Sequence, residues 1–307
     1  MKNTHQNIYW PIYKNIEAEF DKILYYIHLD DKQLNVYSTK ISELILRVCI
    51  EIESISKELY YTFNEKEDES KHINFDEALK FLNRKWKIED KHIIISSHNC
   101  YITNKKIAPF QIKEKRTNSN RMTYKWNNAY QNIKHNRYES IEFGNMGNLL
   151  LALGSLYILN IYYKDERFYV EDDYNLGKFD LSLGSSIFST TFHQENSINA
   201  EIEYQKKENF DEYLHIVYPD QYLYGLFKDV QRKVNVVRDE LIINFLQNNI
   251  NNGMNEVEIQ NLIKNELSDQ FENFKRFTIP GIQKYVVEYD KTMRGLKYWL
   301  ILNKNDL

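Results

Sequence analysis

The sequence predicts an α+β fold that is mostly α. Three observations carry this. Apolar residues recur at helical spacing through two long N-terminal stretches, and a third stretch is apolar nearly all round. Glycine (9) and proline (4) are scarce among 307 residues, which disfavours a turn-rich all-β chain. Beyond Lys164 the texture changes to short segments with strand-type alternation.

Pro11 suits the first turn of a helix. Ile12, Ile16, Phe20, Ile23, Leu24 and Ile27 give that helix one apolar face, and Asp30-Asp31 ends it. Ser38 or Thr39 can cap a second helix, running to about Phe63 with Ile41, Leu44, Ile45, Val48, Ile52, Ile55 and Leu59 as its stripe. Residues 64–72 form a charged loop. Asn74 followed by Glu77 is a capping pattern that opens a short helix through Leu82. His92 to Ser97 reads as a strand, with Lys106 to Ile112 as its partner. Residues 117–120 are a polar turn. A helix from Thr123 to about His135 carries Trp126, Ala129, Tyr130 and Ile133. Gly144 and Gly147 punctuate a break. Leu149 to Tyr163 is then a central buried helix, interrupted by Ser155 and Asn160 and too short to span a bilayer.

After Lys164, Ser182-Leu183, Ile187-Phe188, Ile202 to Tyr204 and Leu214 to Tyr218 read as short strands. Tyr222 to about Asn249 is a helix with Leu226, Val230, Val234, Val237, Leu241 and Phe245 on one face, stopped by Asn251-Asn252-Gly253. Asn255 caps another helix, with Ile259, Leu262, Ile263, Leu267 and Phe271. Tyr285 to Tyr289 and Leu296 to Leu302 read as closing strands. The predicted organisation is a helical module over residues 1–163 with a β insertion at about 92–112, then a mixed α+β module over 164–307.

A net charge of -4 excludes a protein that coats nucleic acid by bulk charge, but not a local basic groove. Cys49 and Cys100 form no metal spacing and fit a reducing compartment. Residues 1–10 are polar with no apolar core of a signal peptide, so the expectation is a cytoplasmic protein without a membrane role. No metal or other cofactor is expected. His98 and Cys100 lack a second ligand pair. Glu171-Asp172-Asp173 reads as a solvated loop, and Glu201, Glu203 and Lys206 lack a well-placed upstream aspartate. Neither a Ser-His-Asp pattern nor a Gly-rich phosphate loop is present.

The strongest local signal is the stretch from Asn104 to Tyr138. Lys105, Lys106, Lys113, Lys115, Arg116, Arg121, Lys125, Lys134 and Arg137 stand there against one acid, Glu114. Trp126 and Tyr130 lie among them and either stack on bases or pack the fold. Clustered cations are a footprint for a phosphate backbone. The stretch ends in Lys134-His135-Asn136-Arg137. Lys134 and Arg137, three apart, share a helix face. A histidine there can move a proton to or from a ribose oxygen while the cations hold the phosphate. Cations in a last helical turn also complement the helix dipole without any chemistry.

The run Trp126 to Arg137 followed by the long apolar helix, with Leu46 to Lys57 as partner helix, resembles the HEPN superfamily of prokaryotic helical proteins over roughly residues 38–163. The resemblance implies a helical bundle with a histidine at its mouth and a homodimer whose two motifs line one RNA-cleaving cleft. It also implies metal-independent attack by the ribose 2′-hydroxyl, and roles in toxin–antitoxin, abortive-infection or other antiviral defence systems. An antitoxin or defence-complex partner follows from the same likeness. His135 takes the place of the catalytic histidine and Asn132 that of the polar residue near it. The arginine usual a few residues before that histidine is absent here, and Lys134 or Arg137 stands in for it. Glu53 and Lys57, four apart beside Glu51, are expected to pair and to help orient His135. Two other readings stay open: a non-catalytic subunit that binds RNA, other nucleic acid or protein through the basic strip, and a structural oligomerising protein.

Overall fold

The computed structural model describes residues 7–64, 72–117, 121–170, 179–193, 209–251, 253, 255–258 and 282–304. The fold is α+β, mostly α. It begins with α1 (Tyr9–Tyr26), α2 (Thr39–Phe63) and α3 (Phe75–Trp86). Ser38 caps α2 by accepting the Ile41 N–H at 3.2 Å. At α3 the expected box is closed in both directions: Asn74 Oδ1 accepts from Glu77 N, and Glu77 Oε2 accepts from Asn74 N. Lys87 ends α3 in a left-handed conformation.

Strands β1 (Ile93–Ile95) and β2 (Lys106–Ile107) pair antiparallel, Ile93 opposite Ile107. The expected partner segment is shorter than its sequence suggested. A turn at Pro109-Phe110 redirects the chain, and Ile112–Lys115 becomes β3, which pairs with β4 (Met122–Tyr124). Helix α4 (Lys125–His135) starts two residues later than expected, because β-favouring Thr123 and Tyr124 belong to this hairpin. Helix α5 (Met146–Lys164) follows, capped by Asn145. It is buried nearly all round and contacts α1, α2 and α4. It is long and apolar enough to cross a membrane, but its apolar surface is mostly covered within the chain.

Beyond Lys164 come β5 (Phe168–Val170), β6 (Phe188–Ser189), β7 (Phe192–His193), β8 (His215–Pro219), α6 (Gln221–Asn251), α7 (Ile282–Arg294) and β9 (Tyr298–Leu302). Strand β6 joins the β1–β2 sheet. The others form a sheet ordered β5-β9-β8-β7, antiparallel except for the parallel β7–β8 pair.

Two sequence expectations are corrected here. Tyr285 to Tyr289 is helix, not strand. Its residues favour strands locally, but the segment packs along α6, with Tyr289 5.3 Å from Phe227 ring to ring, and Lys291 and Arg294 suit a helix C-terminus. Ser182-Leu183 is a turn. Asp180 Oδ1 accepts from both Ser182 N and Oγ, and Gly184 sits at φ 87°, where only glycine is unstrained. Asn255 caps as expected, accepting from Val257 N and Glu258 N, while residues 259–271 and the Ile202–Tyr204 strand lie outside the described residues. The loop positions 65–71 and 118–120 lie outside them too.

The core stacks aromatic rings. Trp86 lies parallel on Tyr162 at 4.4 Å and 5°, and neither side chain is exposed. One buried carboxylate is fully engaged. Glu17, 1% exposed, accepts from Tyr13 Oη at 2.8 Å, from Ser186 N at 3.0 Å and from Ser185 Oγ, and pairs with Lys14. This carboxylate fastens the turn after residue 182 onto α1. His215 is different: it is buried and its Nδ1 has no partner, and burial pushes its pKa down to about 3.

Trp86→Ala is expected to lower the free energy of unfolding in urea by about 3–5 kcal/mol, since the stacked ring leaves a cavity. A loss below about 1 kcal/mol would mean the Trp86–Tyr162 stack does not anchor the core. A second expectation concerns acid. In the unfolded chain the His215 imidazole protonates near 6.5, but in the fold only near 3. Its contribution is therefore complete above pH 6.5 and is lost as pH falls from there toward 3. His92, also shifted down by burial, adds to that window. Urea midpoints of wild type and His215→Leu at pH 7, 5 and 4 should diverge in acid, the variant losing less; parallel curves would refute it.

Candidate functional site

The basic strip is built on the β3–β4 hairpin and α4. Trp126, in the first turn of α4, is fully buried. It stacks on Tyr124 at 5.5 Å and 6°, meets Phe110 edge-on at 6.0 Å, and donates its indole N–H to Pro109 O at 3.1 Å. Tyr130 is 5% exposed. Neither ring is open to a base: both pack in the core, and Trp126 fixes the start of α4 against the turn at Pro109-Phe110. The exposed ring at this end of the molecule is Tyr138, 94% exposed, which sequence reasoning passed over. Its position one residue after Arg137, past the last helical turn, was the available signal.

Asn132 is likewise committed elsewhere. It is buried and donates through Nδ2 to Thr117 Oγ1 and to Asn128 O, each at 2.8 Å. Asn128 Oδ1 accepts the Thr117 N–H at 3.1 Å, and Asn128 Nδ2 reaches Glu114 at 3.4 Å. This asparagine network pins the end of β3 to α4. Asn132 therefore holds the hairpin and is not bonded to His135.

The helix ends at His135, and Asn136 leaves it at φ -147°, ψ 59°. Arg137 thus lies beyond the helix, so the helical spacing expected to place it on one face with Lys134 does not apply. Lys134, His135, Arg137 and Tyr138 are all exposed. Lys134 Nζ sits 5.4 Å over the Tyr130 ring. Asn136 Nδ2 donates to Glu139 at 2.5 Å, which shapes the turn. Among the described residues, none bonds to the His135 ring. Glu53 and Lys57 do pair, at 2.6 Å, but that half-exposed pair bonds to neither ring nitrogen of His135. Glu51 is partly buried, which raises its carboxyl pKa.

The remaining cations divide into two groups. Three are already used. Arg116 grips Asp76 of α3 through Nη2, at 2.8 and 3.0 Å to the two oxygens. Lys106 pairs with Glu212 at 2.6 Å, and Lys105 donates to Cys100 O. Lys113, Lys115, Lys125, Lys134 and Arg137 are exposed and have no carboxylate partner among the described residues. Arg121, also exposed, flanks them on β4's leading edge. Both cysteines are buried thiols whose pKa burial raises, so neither is a poised nucleophile.

Two cavities of about 360 Å³ border the strip, the first taking Glu114 and Lys125 from it and the second Gln111. One lies between Glu114, Lys125, Tyr37, Glu142, Phe143 and Asn148. The other holds Glu89, His92, Gln111, Phe210 and Glu212. In it His92 Nδ1 stands 3.8 Å from Glu212, the carboxylate already paired with Lys106. Lys91 beside it is buried, donates to Asp211 O at 2.7 Å, and has its pKa lowered to about 8 by burial. Sequence reasoning found neither cavity as such, because each is assembled from segments far apart in the chain.

No known protein family, curated protein or solved structure matches this chain.

The Arg116–Asp76 grip ties the hairpin to α3 rather than offering a free charge. Arg116→Ala should lower stability by about 0.5–1 kcal/mol, given its partial exposure. It should also speed amide exchange across β3 and β4 while leaving α5 protected. Unchanged exchange in the hairpin would show that the grip is incidental.

Proposed function

We propose that this chain is an RNA-directed protein of the kind used in prokaryotic defence or toxin systems, acting in the cytoplasm as a metal-independent endoribonuclease. The observation that carries the reading is the exposed group at the end of α4. His135 stands between Lys134 and Arg137, and none of the three is bonded to a carboxylate among the described residues. An imidazole free of an internal partner is open to a ribose hydroxyl or a leaving oxygen. Lys134 and Arg137 hold the phosphate and offset charge that develops on it. Tyr138 offers a ring on which a base stacks. Lys113, Lys115, Arg121 and Lys125 carry the flanking backbone.

In this reading a second copy of the chain brings its own α4 terminus to the first, and the two line one cleft. The HEPN likeness of residues 38–163 supports that arrangement. The mixed α+β half, residues 164–307, recognises a trigger, an antitoxin or a target. A second reading is favoured by one specific feature. Nothing among the described residues fixes the tautomer or orientation of His135, as a non-catalytic RNA-binding subunit would allow.

Wild type and His135→Ala are incubated in EDTA with total RNA and a labelled stem-loop. The expected result is cleavage by wild type and a loss of about 100-fold or more in the variant. Retention of uncleaved probe should survive. Salt-sensitive retention without cleavage by either protein would favour the binding subunit instead. Lys113→Ala and Lys115→Ala should each flatten the dependence of log affinity on log salt by about 0.7–0.9. A protein that neither cuts nor retains RNA would fit a structural oligomer and end the RNA reading.

A further inference from the structure

The cavity at the start of α4 holds charges of both signs that do not neutralise one another. Lys125, Glu114 and Glu142 all line it, yet among the described residues Lys125 has no carboxylate partner and Glu142 has no cation. Lys125 and Glu142 are both exposed, so their charged groups are hydrated and open to a ligand that enters the hollow. Two rings complete the lining. Phe143 is half-buried, and Tyr37 is 51% exposed. Tyr37 is carried there by its bridge to Asn145 and by the Met146 N–H bond to Val36 O at 3.0 Å.

The last member is Asn148. It is 2% exposed, and its Nδ2 is fixed to Phe143 O at 2.9 Å. That bond sets the amide so that Oδ1 can only accept, and Oδ1 has no donor. A buried acceptor without a donor is uncommon in a folded protein. Glu114 is partly engaged by Asn128, whereas Glu142 is exposed and its carboxylate makes no bond among the described residues. The site thus offers three acceptors, one cation and two rings in a volume of about 360 Å³. That volume falls within the usual range of small-ligand sites, roughly 300–1,000 Å³.

We infer that this cavity takes one guanine nucleotide of an RNA chain, with its phosphate on Lys125 and its base between Tyr37 and Phe143. The inference rests on the RNA reading above and names the base that reading prefers. Guanine presents two adjacent donors on its pairing edge, the ring N1–H and the exocyclic amine. A single carboxylate accepts both side by side, and Glu142 is the free one. Adenine and cytosine offer the amine alone beside an acceptor nitrogen that a carboxylate repels, and uracil offers one N–H between two carbonyls. The edge-reading of an unpaired base by a few side chains, with a ring stacked on it, is how single-stranded RNA is told apart by sequence.

The test uses the full chain and free mononucleotides, so it needs no ribonuclease activity. Guanosine, adenosine, cytidine and uridine 5′-monophosphates are titrated by calorimetry against wild type, Glu142→Gln and Lys125→Ala. The expected outcome is at least tenfold tighter binding of the guanine nucleotide to wild type. Glu142→Gln should erase that preference. Lys125→Ala should weaken the monophosphate but leave unphosphorylated guanosine unaffected. Equal binding of all four nucleotides, or none at millimolar concentration, overturns the inference. So does a preference that survives Glu142→Gln. An unstructured eight-residue oligouridine is the parallel arm. Its retention with no guanine preference would sink the base site alone; guanine binding without any RNA retention would uphold the site and sink the RNA reading.

Discussion

The burial of α5 is the constraint from which the rest of the fold follows. A helix apolar on every side has no face to give to water, so other elements must cover it all round. Helices α1, α2 and α4 supply three sides. The β1–β2 insertion supplies another, and Gly154 lets it come close. A Cβ at that position would lie 2.9 Å from Ile93 Cδ1 and 3.0 Å from Pro109 Cγ. The polar atoms inside α5 impose further ties. Ser155 and Asn160 bond back to carbonyls of their own helix, Leu151 O and Leu156 O. The tyrosine hydroxyls cannot do so. Tyr157 donates to Ser182 O and Tyr162 to Asn303 O, each bond holding a distant part of the chain against the bundle.

That dependence explains what was legible in the sequence. Helices α1, α2, α3 and α5 announce themselves, because their caps and stripes are local: Ser38, the Asn74/Glu77 box, and the largely apolar run after Gly147. The elements that misled are those decided by distant partners. Tyr285 to Tyr289 carries residues that favour a strand, yet packing on α6 makes it helix. Strands β5 and β7 are short and became strands only because β9 and β8 lie beside them. Two or three residues hold no periodicity to read.

The candidate site divides along the same line. The excess of cations from Lys105 to Arg137 is a compositional fact and needs no fold to be seen. Which of them are free does need one. Arg116 and Lys106 are spent on Asp76 and Glu212, which lie 40 and 106 positions away in sequence. Trp126 among lysines has the look of a stacking ring, and its neighbours in sequence cannot say otherwise. Its burial is settled by Phe110 and Pro109, folded back from the preceding turn. Asn132 faces the same limit: its true partner, Thr117, sits 15 positions upstream across a hairpin.

What remains is a division of labour along α4. Its buried face, with Trp126 and the asparagine network, is packed and hydrogen-bonded. Its two ends are polar, open and chemically different. Lys125 opens onto a hollow with acceptors and rings, while His135 stands free in solvent with cations on either side. Ten residues of helix separate them, roughly 15 Å. A single nucleotide cannot touch both. A chain of several nucleotides is long enough to reach both, so under the proposed reading contacts at the Lys125 end would set the register of the strand at His135. An imidazole without an internal partner is a poor catalyst until something fixes its orientation. Under the proposed reading that role falls to the bound strand and to the second copy of the chain that closes over it.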